Sequence, residues 1–479
     1  MAGFRLQYPD NRELTGGDLL AQSLKHIGVE VAFGLHGGHL DSFFMGCESM
    51  GIRLVDTRHE TAAVQAAEGY SRISNKLGVC FVTANSGAVA QLLARAKRPV
   101  IITGTGTKSP SARKNLVQLA ETCVVPIFNT SKFALFTEKS PMLSRGTAGE
   151  LAKLPLLGLP RPDLILLLGA RTGMFLGGRG GAIIPPLDCA LVQVDCDGGE
   201  IGRTLPVDLG IVSDADAFVT AMKLKVSSAR QSASAVDKQW VQTVLGLATL
   251  ALPYEKEPKT SASGLLHPYH AVKHVFSAVE PGSIVVLDGG EAGAWAANLA
   301  MHCQPSAMMT ATGYLGFLGT GFGYSLGCAV AAPDRKVVNI QGDGSAGFHL
   351  MELDTYKRLN LNIMTVIVNN SSWGMSSNGQ DLVYGTKNPA RPISSLSSRT
   401  EYDVVAKGLQ NAAAKVSSLS DIQSTVSSFQ AMNGPSCINL IVDRKPVHPV
   451  TTAMVGMTED PDLIVVPYYD NLPRTRYKL

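Results

Sequence analysis

Charged residues are scarce in this sequence: they make up 17% of its 479 positions, and the formal net charge is only +3. So small a charge, spread along the chain, gives no basis for nucleic-acid binding. No apolar run reaches the about 18 residues that cross a bilayer. The first residues also lack the basic segment and apolar core of a signal peptide. We therefore expect a soluble protein that binds neither nucleic acid nor membrane.

Paired cysteines are also missing. The eight cysteines stand singly, no CxxC pair occurs, and most of them lie in apolar runs. This pattern favours buried, reduced thiols over a disulfide framework. We expect a cytoplasmic protein. The terminal Lys478-Leu479 resembles a peroxisomal signal only weakly, because Tyr477 stands where that signal has a small residue.

Apolar residues, in contrast, are abundant: they form 45% of the chain, which suits a large buried core. Short β-branched runs alternate with segments of helical period, which predicts an α/β fold with parallel sheets in several domains. The expected strands lie at 29–33, 52–56, 79–83, 100–103, 164–168, 191–194, 284–287, 336–340 and 362–368. The expected units are an N-terminal domain 1–87, a central domain 88–225, a linker 226–263, a C-terminal domain 264–448 and an extended tail 449–479.

Polar residues follow two of the predicted C-terminal strands, at the strand ends where ligands bind in open α/β sheets. Asp343 lies in Gly342-Asp343-Gly344 after one strand, and Asn370 follows Asn369 after the next. A carboxylate and an amide carbonyl are hard oxygen ligands that suit Mg²⁺. The glycines let a phosphate approach the amides that open a helix. Each motif alone also occurs in ordinary turns, but the two together favour a metal–phosphate site.

This pair of motifs resembles the cofactor motif of the thiamine-diphosphate-dependent decarboxylase and acetolactate synthase superfamily. The resemblance implies a multi-domain, parallel-sheet fold that binds thiamine diphosphate, with a Rossmann-like central domain. It also implies thiamine diphosphate and Mg²⁺ as cofactors. Asp343, Asn370 and the backbone carbonyl of Ser372 would bind Mg²⁺, and Gly344 and Ser345 would hold the diphosphate.

Glu60 stands after the second predicted strand, in Thr57-Arg58-His59-Glu60. Taken alone, a carboxylate at this place more often stabilises the positive end of a helix dipole. The family resemblance implies a catalytic role instead, because a glutamate at this place bonds the aminopyrimidine of the cofactor and activates it.

His39 opens a predicted helix in GLHGGHLDSFF, residues 34–44. It is either a hydrogen-bonded cap of that helix or a general acid–base near neutral pH. This stretch is similar to benzaldehyde lyases within the superfamily, as are IRLVDTRHETAAVQAAEGYSR, LLHPYHAVKHV, TGYLGFLGTGFGYSLG and NNSSWGM. The similarity implies that His39 lies beside the oxygen of the substrate.

The same resemblance implies three further contacts with the cofactor. Gly289 would lie at the diphosphate, the backbone of Gly316 would bond the pyrimidine, and Leu318 would support the bent cofactor from below. Two residues depart from the lyase pattern. Gly293 stands where an aromatic residue is expected, and Met375 stands where alanine is expected.

The stretch VTANSGAVAQLLARAKRPVIITG joins the first two predicted domains abruptly at Gly87 and Ala88. In the superfamily, the loop after this strand continues into the second half of a pyrimidine-binding domain. The resemblance therefore implies that this half is missing here, which leaves fewer than the usual roughly 100–200 residues for a domain. Three strands alone would have an open edge and an uncovered face.

The expected function is that of a carbon–carbon lyase or carboligase acting on aldehydes and 2-hydroxy ketones, as in benzaldehyde lyases. Two alternatives stay open: a 2-oxoacid decarboxylase or acetolactate synthase-like enzyme, and a non-catalytic, truncated remnant that binds the cofactor. The expected partner molecules are a small aldehyde, hydroxy ketone or 2-oxoacid substrate. The resemblance also implies a homodimer or homotetramer, since the cofactor of the family lies between two subunits.

Overall fold

The computed structural model describes residues 14–36, 40–58, 60–74, 76–82, 86–177, 181–228, 236–250, 252–312, 316–384, 393–454, 463–466 and 469–473. Within these residues the structure confirms the predicted α/β class. Every strand pair of the three larger sheets is parallel except one. Among the described helices, none combines the length and the apolar character that a bilayer crossing requires.

The N-terminal unit is a three-stranded sheet with few buried residues. Its elements are α1 (Gly16–His26), β1 (Val31–Leu35), α2 (Asp41–Ser49), β2 (Arg53–Asp56), α3 (Glu60–Ser74) and β3 (Val79–Val82), in the sheet order β2-β1-β3. Thr15 and Asp18 form a capping box that begins α1. The buried apolar cluster consists of Ala21, Val29, Ala32, Phe43, Cys47, Ile52 and Phe81. No residue of β2 is fully buried.

The central unit begins with α4 (Ser86–Arg95), which packs Val89 and Leu93 into the core of the following sheet. The other elements are β4 (Pro99–Thr103), α5 (Pro110–Cys123), β5 (Ile127–Asn129), β6 (Phe133–Leu135), β7 (Leu143–Thr147), α6 (Lys153–Leu156), β8 (Leu164–Leu168), β9 (Ala190–Asp195), β10 (Leu209–Val212), α7 (Ala215–Ser228) and α8 (Lys238–Gly246). The six-stranded sheet has the order β10-β9-β8-β4-β5-β7. β4 and β8 are buried along their whole length, as continuous apolar runs in parallel sheets are.

The C-terminal unit carries a seven-stranded sheet in the order β15-β16-β14-β13-β11-β12-β6. Its elements are α9 (Pro268–Ala278), β11 (Ile284–Leu287), α10 (Glu291–Leu299), β12 (Ala307–Thr310), α11 (Gly321–Ala331), β13 (Val337–Gly342), α12 (Asp343–His349), α13 (Glu352–Arg358), β14 (Ile363–Asn369), α14 (Gly374–Tyr384), α15 (Tyr402–Gly408), β15 (Ala412–Val416), α16 (Leu419–Ala431), β16 (Ser436–Ile441), α17 (Pro449–Met454), β17 (Leu463–Val466) and β18 (Tyr469–Pro473). β17 and β18 form a separate antiparallel pair.

The structure differs from the sequence prediction in three segments. β6 leaves the central unit and pairs antiparallel with β12, so that the edge of the C-terminal sheet comes from the preceding unit. Segment 226–263, predicted as part helix and then linker outside the central domain, packs its helix α8 into the central unit, where the buried Trp240 donates a hydrogen bond from Nε1 to the carbonyl of Pro99 at 3.1 Å. The predicted extended tail begins with a helix, α17. Short strands and amphipathic packing of this kind depend on distant partners, which local composition does not reveal.

All eight thiols are free. Cys47, Cys303 and Cys437 are buried, as expected, whereas Cys80 and Cys196 are exposed. Burial raises the pKa of the Cys47 thiol to about 11, which keeps it protonated and unreactive at neutral pH.

Candidate cofactor and metal site

The predicted metal ligands lie at neighbouring strand ends. β13 and β14 are adjacent and parallel, so their carboxyl ends meet at one edge of the sheet. Asp343 follows β13 as the first residue of α12, and Asn370 follows β14. The backbone N–H of Ser372 donates to Oδ2 of Asp343 and to Oδ1 of Asn370, each at 3.1 Å. The two side-chain oxygens therefore converge on one point, as the sequence predicted.

The electrostatic state of Asp343 fits a bound cation. Its side chain is 3% exposed, and burial raises the pKa of this carboxyl to about 7, although the backbone N–H groups of Ser372 and Gly344 lower it. No ion pair to Asp343 is present within the described residues. A buried carboxylate without a counter-charge is costly unless a cation joins it. The local chemistry therefore suits a divalent cation at this carboxylate.

The choice of cation follows from the other donors. The described residues hold no group of three or more His, Cys, Asp or Glu side chains that could bind a metal ion. A cation at Asp343 would rely on the oxygens of Asn370, the Ser372 carbonyl and the ligand itself. Mg²⁺ is commonly held in this way, by one or two carboxylates together with the phosphates of a bound molecule. The donor set fits the predicted Mg²⁺.

Gly289 brings the loop after β11 against the loop after β13. It has a positive φ of 91°, and a Cβ atom at this position would lie 2.8 Å from the backbone nitrogen of Gly342. Both the conformation and the space require glycine. Asp288, just before it, is buried and accepts a hydrogen bond from the backbone N–H of Gly321 at 2.6 Å. The predicted diphosphate end is thus a set of closely packed backbone segments.

Gly344 and Ser345 already have partners in this structure. A Cβ atom at Gly344 would lie 2.6 Å from the ring of Trp373, so the glycine makes room for that side chain. The Ser345 hydroxyl accepts from the backbone N–H of Gly342 at 2.9 Å and donates to Oε1 of Gln341 at 2.9 Å. The hydroxyl predicted to hold the diphosphate is therefore committed to the start of α12.

The loop with Gly316 and Leu318 lies beside α12. Gly316 is exposed, with a positive φ of 71°, and no atom lies within 4 Å of a Cβ placed there, so its conformation alone favours glycine. Leu318 is half-buried. A Cβ at Gly319 would lie 2.7 Å from Cβ of Phe348 and 2.9 Å from the carbonyl of Ser345. This contact fixes the loop against the helix that carries Asp343.

The two predicted catalytic residues are described only in part. Glu60 is the first residue of α3, and residues 57–59 separate it from the end of β2; this is the backbone position that the sequence predicted. Its side chain lies outside what the structure describes, and His39 lies outside the described residues altogether. Both catalytic assignments remain predictions.

The structure adds a buried carboxylate that the sequence analysis missed. Glu291 directly follows Asp288-Gly289-Gly290 and is buried. Its Oε1 accepts from the Thr451 hydroxyl at 2.6 Å and from the backbone N–H of His448 at 3.2 Å, and its Oε2 accepts from Nδ2 of Asn378 at 2.7 Å. Burial raises the pKa of this carboxyl, although these three donors lower it. Its position directly after the Asp-Gly-Gly turn is the sequence signal that could have identified it.

The two departures from the lyase pattern have structural counterparts. A Cβ at Gly293 would lie 3.1 Å from the carbonyl oxygen of Asp288, so a larger residue would require the backbone to shift. Cβ of Met375 lies 3.0 Å from where a Cβ at Gly290 would be. Both positions are tightly packed against the turn that carries Gly289, and the residues present fit that packing.

Comparison with family models agrees with this geometry. Residues 288–440 match the C-terminal domain of thiamine pyrophosphate enzymes, which covers the convergence of Asp343 and Asn370. Residues 14–119 match the N-terminal domain of these enzymes, and residues 87–222 match their central domain. The chain belongs to the thiamine-diphosphate-dependent decarboxylase and acetolactate synthase superfamily. It is a thiamine-diphosphate-dependent enzyme with the predicted multi-domain fold.

The relatives of this thiamine-diphosphate enzyme include acetolactate synthases. A probable acetolactate synthase of Mycobacterium bovis is 25% identical, over 90% of this chain and 96% of the relative. A probable acetolactate synthase large subunit of Methanococcus aeolicus is 23% identical, over 78% of this chain and 83% of the relative. The acetolactate synthase isozyme 1 large subunit of Escherichia coli is 26% identical, over 77% of this chain and 63% of the relative.

The length of the first alignment bears on the junction at Gly87 and Ala88. The alignment with the Mycobacterium bovis protein runs over 542 positions, more than the 479 residues of this chain. It must therefore include positions that this chain lacks. Residues 87–119 match both the N-terminal and the central domain model. In the structure these residues include α4, β4 and most of α5, which pack in the central unit.

Proposed function

We propose that this thiamine-diphosphate enzyme is an Mg²⁺-dependent carboligase of the acetolactate synthase type, which releases the carboxylate of a 2-oxoacid as carbon dioxide and joins the remaining carbonyl carbon to a second carbonyl compound. The convergence of Asp343 and Asn370 on the Ser372 amide carries the proposal for the cofactor and metal. The names of the relatives support the 2-oxoacid as substrate. They favour this reaction over the lyase activity that the sequence motifs suggested.

Each residue of the site has a definite task in this proposal. Bound thiamine diphosphate supplies the electron sink that stabilises negative charge on the former carbonyl carbon of the substrate. Asp343, Asn370 and the carbonyl of Ser372 would hold Mg²⁺, which would neutralise charge on the diphosphate. Gly289 allows the close approach of two backbone segments at that end. Leu318 supports the cofactor from a loop whose far end is fixed by Asp288 and Gly321.

The N-terminal unit supplies the proton chemistry. Glu60 holds a proton at the aminopyrimidine, from its place at the start of α3. In this proposal His39 exchanges a proton at the substrate oxygen. The two residues follow different strands, β1 and β2, which are adjacent and parallel. Their strands therefore end at the same edge of the small sheet.

A benzaldehyde lyase-like activity is the second candidate, and the stretch GLHGGHLDSFF is the observation that favours it. The tight packing at Gly293 and Met375 argues against a pocket of the lyase shape. Under either reaction we propose a homodimer or homotetramer. A third candidate, a cofactor-binding remnant without activity, is supported by the thin core of the N-terminal unit.

One set of experiments separates these candidates. Calorimetric titration of the purified chain with thiamine diphosphate, with and without Mg²⁺, tests the site. Carbon dioxide release from pyruvate then tests for the carboligase, and cleavage of benzoin tests for the lyase. Asp343→Ala serves as the control for both assays. Tight, Mg²⁺-dependent binding with neither activity would support the remnant, and a folded chain that binds no cofactor would refute the proposed site.

A further inference from the structure

A chain of buried polar side chains runs from the start of α15 to the loop after β14. Asp403 Oδ1 accepts a hydrogen bond from Asn439 Nδ2 at 3.2 Å. Asn439 Oδ1 accepts from Asn369 Nδ2 at 3.0 Å. Asn369 Oδ1 accepts from the backbone N–H of Ser371 at 3.0 Å. We call Asp403, Asn439 and Asn369 the amide chain.

The direction of these hydrogen bonds is set from one end. An ionised carboxylate can only accept, whereas each asparagine has one donating and one accepting end. Asn439 must therefore turn its nitrogen to Asp403 and its oxygen to Asn369. Asn369 in turn presents its oxygen to Ser371. All three side chains are buried, so a reversed amide would find no water to replace the lost hydrogen bond.

The end of the amide chain lies at a residue with an unusual backbone. Ser371 has a positive φ of 55°, a conformation that residues other than glycine adopt infrequently. The next residue, Ser372, donates the N–H that joins Asp343 to Asn370. The hydrogen bond from Ser371 to Asn369 thus holds the turn that brings the two proposed metal ligands together.

Tyr402, the residue before Asp403, contacts the backbone of the other proposed metal ligand, Asp343. Tyr402 donates a hydrogen bond from its hydroxyl to the backbone carbonyl of Asp343 at 3.1 Å. Tyr402 and Asp403 are consecutive residues at the start of α15. The start of α15 therefore contacts the residue after β13 directly, through Tyr402. It contacts the loop after β14 indirectly, through the amides of Asn439 and Asn369.

Asp403 is suited to remain ionised. Burial by itself would raise the pKa of this carboxyl, but the amide of Asn439 and the ammonium of Lys407 outweigh that effect and hold the pKa below its usual range. Lys407 lies 3.2 Å from Oδ2, on the side of Asp403 that faces away from Asn439. The carboxylate is therefore available as the fixed acceptor of the amide chain.

We propose that Asp403 is a positioning residue for the cofactor site, because it supplies the terminal acceptor of the amide chain and so helps to hold Ser371 in the conformation that assembles Asp343 and Asn370. The inference rests on the proposed Mg²⁺ site, but not on the choice of substrate. Residues that support metal ligands in this way typically change metal affinity by about 10–100-fold when they are altered.

Exchanging the two side chains at 403 and 439 tests the direction of the chain. Asn439→Asp alone places a second carboxylate against Asp403, and we expect Mg²⁺-dependent affinity for thiamine diphosphate to fall by about 10–100-fold. Adding Asp403→Asn places an amide donor at position 403 against the new carboxylate at position 439. That carboxylate can still accept the hydrogen bond from Asn369. We therefore expect the double variant to recover most of the affinity. Lys415→Met, which removes an exposed lysine paired with Glu401 and not with the amide chain, should change it little.

The outcomes decide the proposal. If Asn439→Asp binds like the wild type, or if the folded double variant is as weak as the folded single variant, the proposal is overturned. A second measurement requires no variant and no cofactor: hydrogen exchange of the Ser371 amide in the ligand-free wild type should be slow. Rapid exchange would also overturn the proposal. A wild type that binds the cofactor without Mg²⁺ would refute the metal site but leave the exchange test valid.

Discussion

The N-terminal and C-terminal units are both built on mainly parallel sheets covered by helices, but they differ in how completely their strands are buried. In the C-terminal unit, β13 and β14 are buried along their whole length between helices on both faces. In the N-terminal unit, β2 has no fully buried residue, and Ile73 on α3 is 92% exposed. Parallel strands are normally covered on both faces. The unit that carries the proposed metal ligands is therefore covered on both faces of its sheet, whereas the unit that carries Glu60 is not.

This difference has a consequence for catalysis. In the proposed mechanism, binding of the cofactor depends on groups in the C-terminal unit, and its activation depends on Glu60 in the N-terminal unit. Local stability within one protein ranges from almost none up to the global value, and it follows buried apolar contacts. We expect binding to be robust and turnover to be the property that the thin core of the N-terminal unit limits.

The largest effect is expected from Asp343→Ala. Removing the only predicted carboxylate ligand should abolish the Mg²⁺-dependent part of thiamine diphosphate affinity, beyond the about 10–100-fold loss typical of supporting residues. Calorimetric titration with and without Mg²⁺ measures this. Asp354→Ala, which removes an exposed carboxylate paired with Arg358, is the control. Unchanged affinity in Asp343→Ala would refute the assignment of the metal site.

Glu60→Gln separates the two units. Cofactor affinity should stay largely intact, because the metal site is elsewhere. Turnover should fall by about 10²–10⁴-fold, the usual contribution of a positioned acid–base group. Steady-state rates of pyruvate consumption at saturating cofactor measure this. A variant with wild-type turnover would show that the N-terminal unit does not supply the activating carboxylate.

A matched pair of core variants tests whether the units unfold separately. Ile367→Ala lies in β14, and Ile52→Ala lies in the small N-terminal cluster; both isoleucines are buried. Each should cost about 2–5 kcal/mol, the usual range for truncating a buried isoleucine. Hydrogen exchange measured for separate peptides should show that Ile52→Ala loses amide protection in the N-terminal unit only. Equal loss of protection in the C-terminal sheet would show that the two units unfold together.

The smallest effect concerns pH and the segment after β16. Burial lowers the pKa of His448 to about 3. Because this value lies below the ordinary pKa of about 6.5, the unfolded state binds more protons than the folded state between these two values. The contribution of neutral His448 to the free energy of unfolding is therefore complete above about pH 6.5 and decreases as the pH is lowered. The decrease is about 1–2 kcal/mol from pH 7 to pH 5. Hydrogen exchange of α17 measures this change.

The control for the pH prediction is His448→Gln, which removes the titrating group. Glu291 accepts from the backbone N–H of His448 and also titrates with a raised pKa, so its effect on stability has the opposite sign. The variant retains Glu291 and isolates the contribution of the imidazole. If the variant keeps the full loss of protection at pH 5, His448 is not its cause.

Part of the fold and site could be read from local sequence. Strands such as Leu164–Leu168 and Ile284–Leu287 were predicted at their observed bounds, because long runs of buried β-branched and aliphatic residues are visible without knowing the partners. Asp343 and Asn370 were found because each stands at the end of such a strand. Alternation of strands and helices then placed both at one edge of a parallel sheet.

The amino-acid sequence by itself determined the α/β class, the strand ends and the residue types of the proposed cofactor site. Only the tertiary structure decided which distant residues support them. Tyr402, Asp403 and Asn439 carry no motif, and they reach the site because α15 and β16 pack beside β14. The addition of β6 to the far edge of the same sheet is a second case. Contacts of this kind depend on the order of strands and on which helix covers each face, and neither is encoded in a short window of sequence.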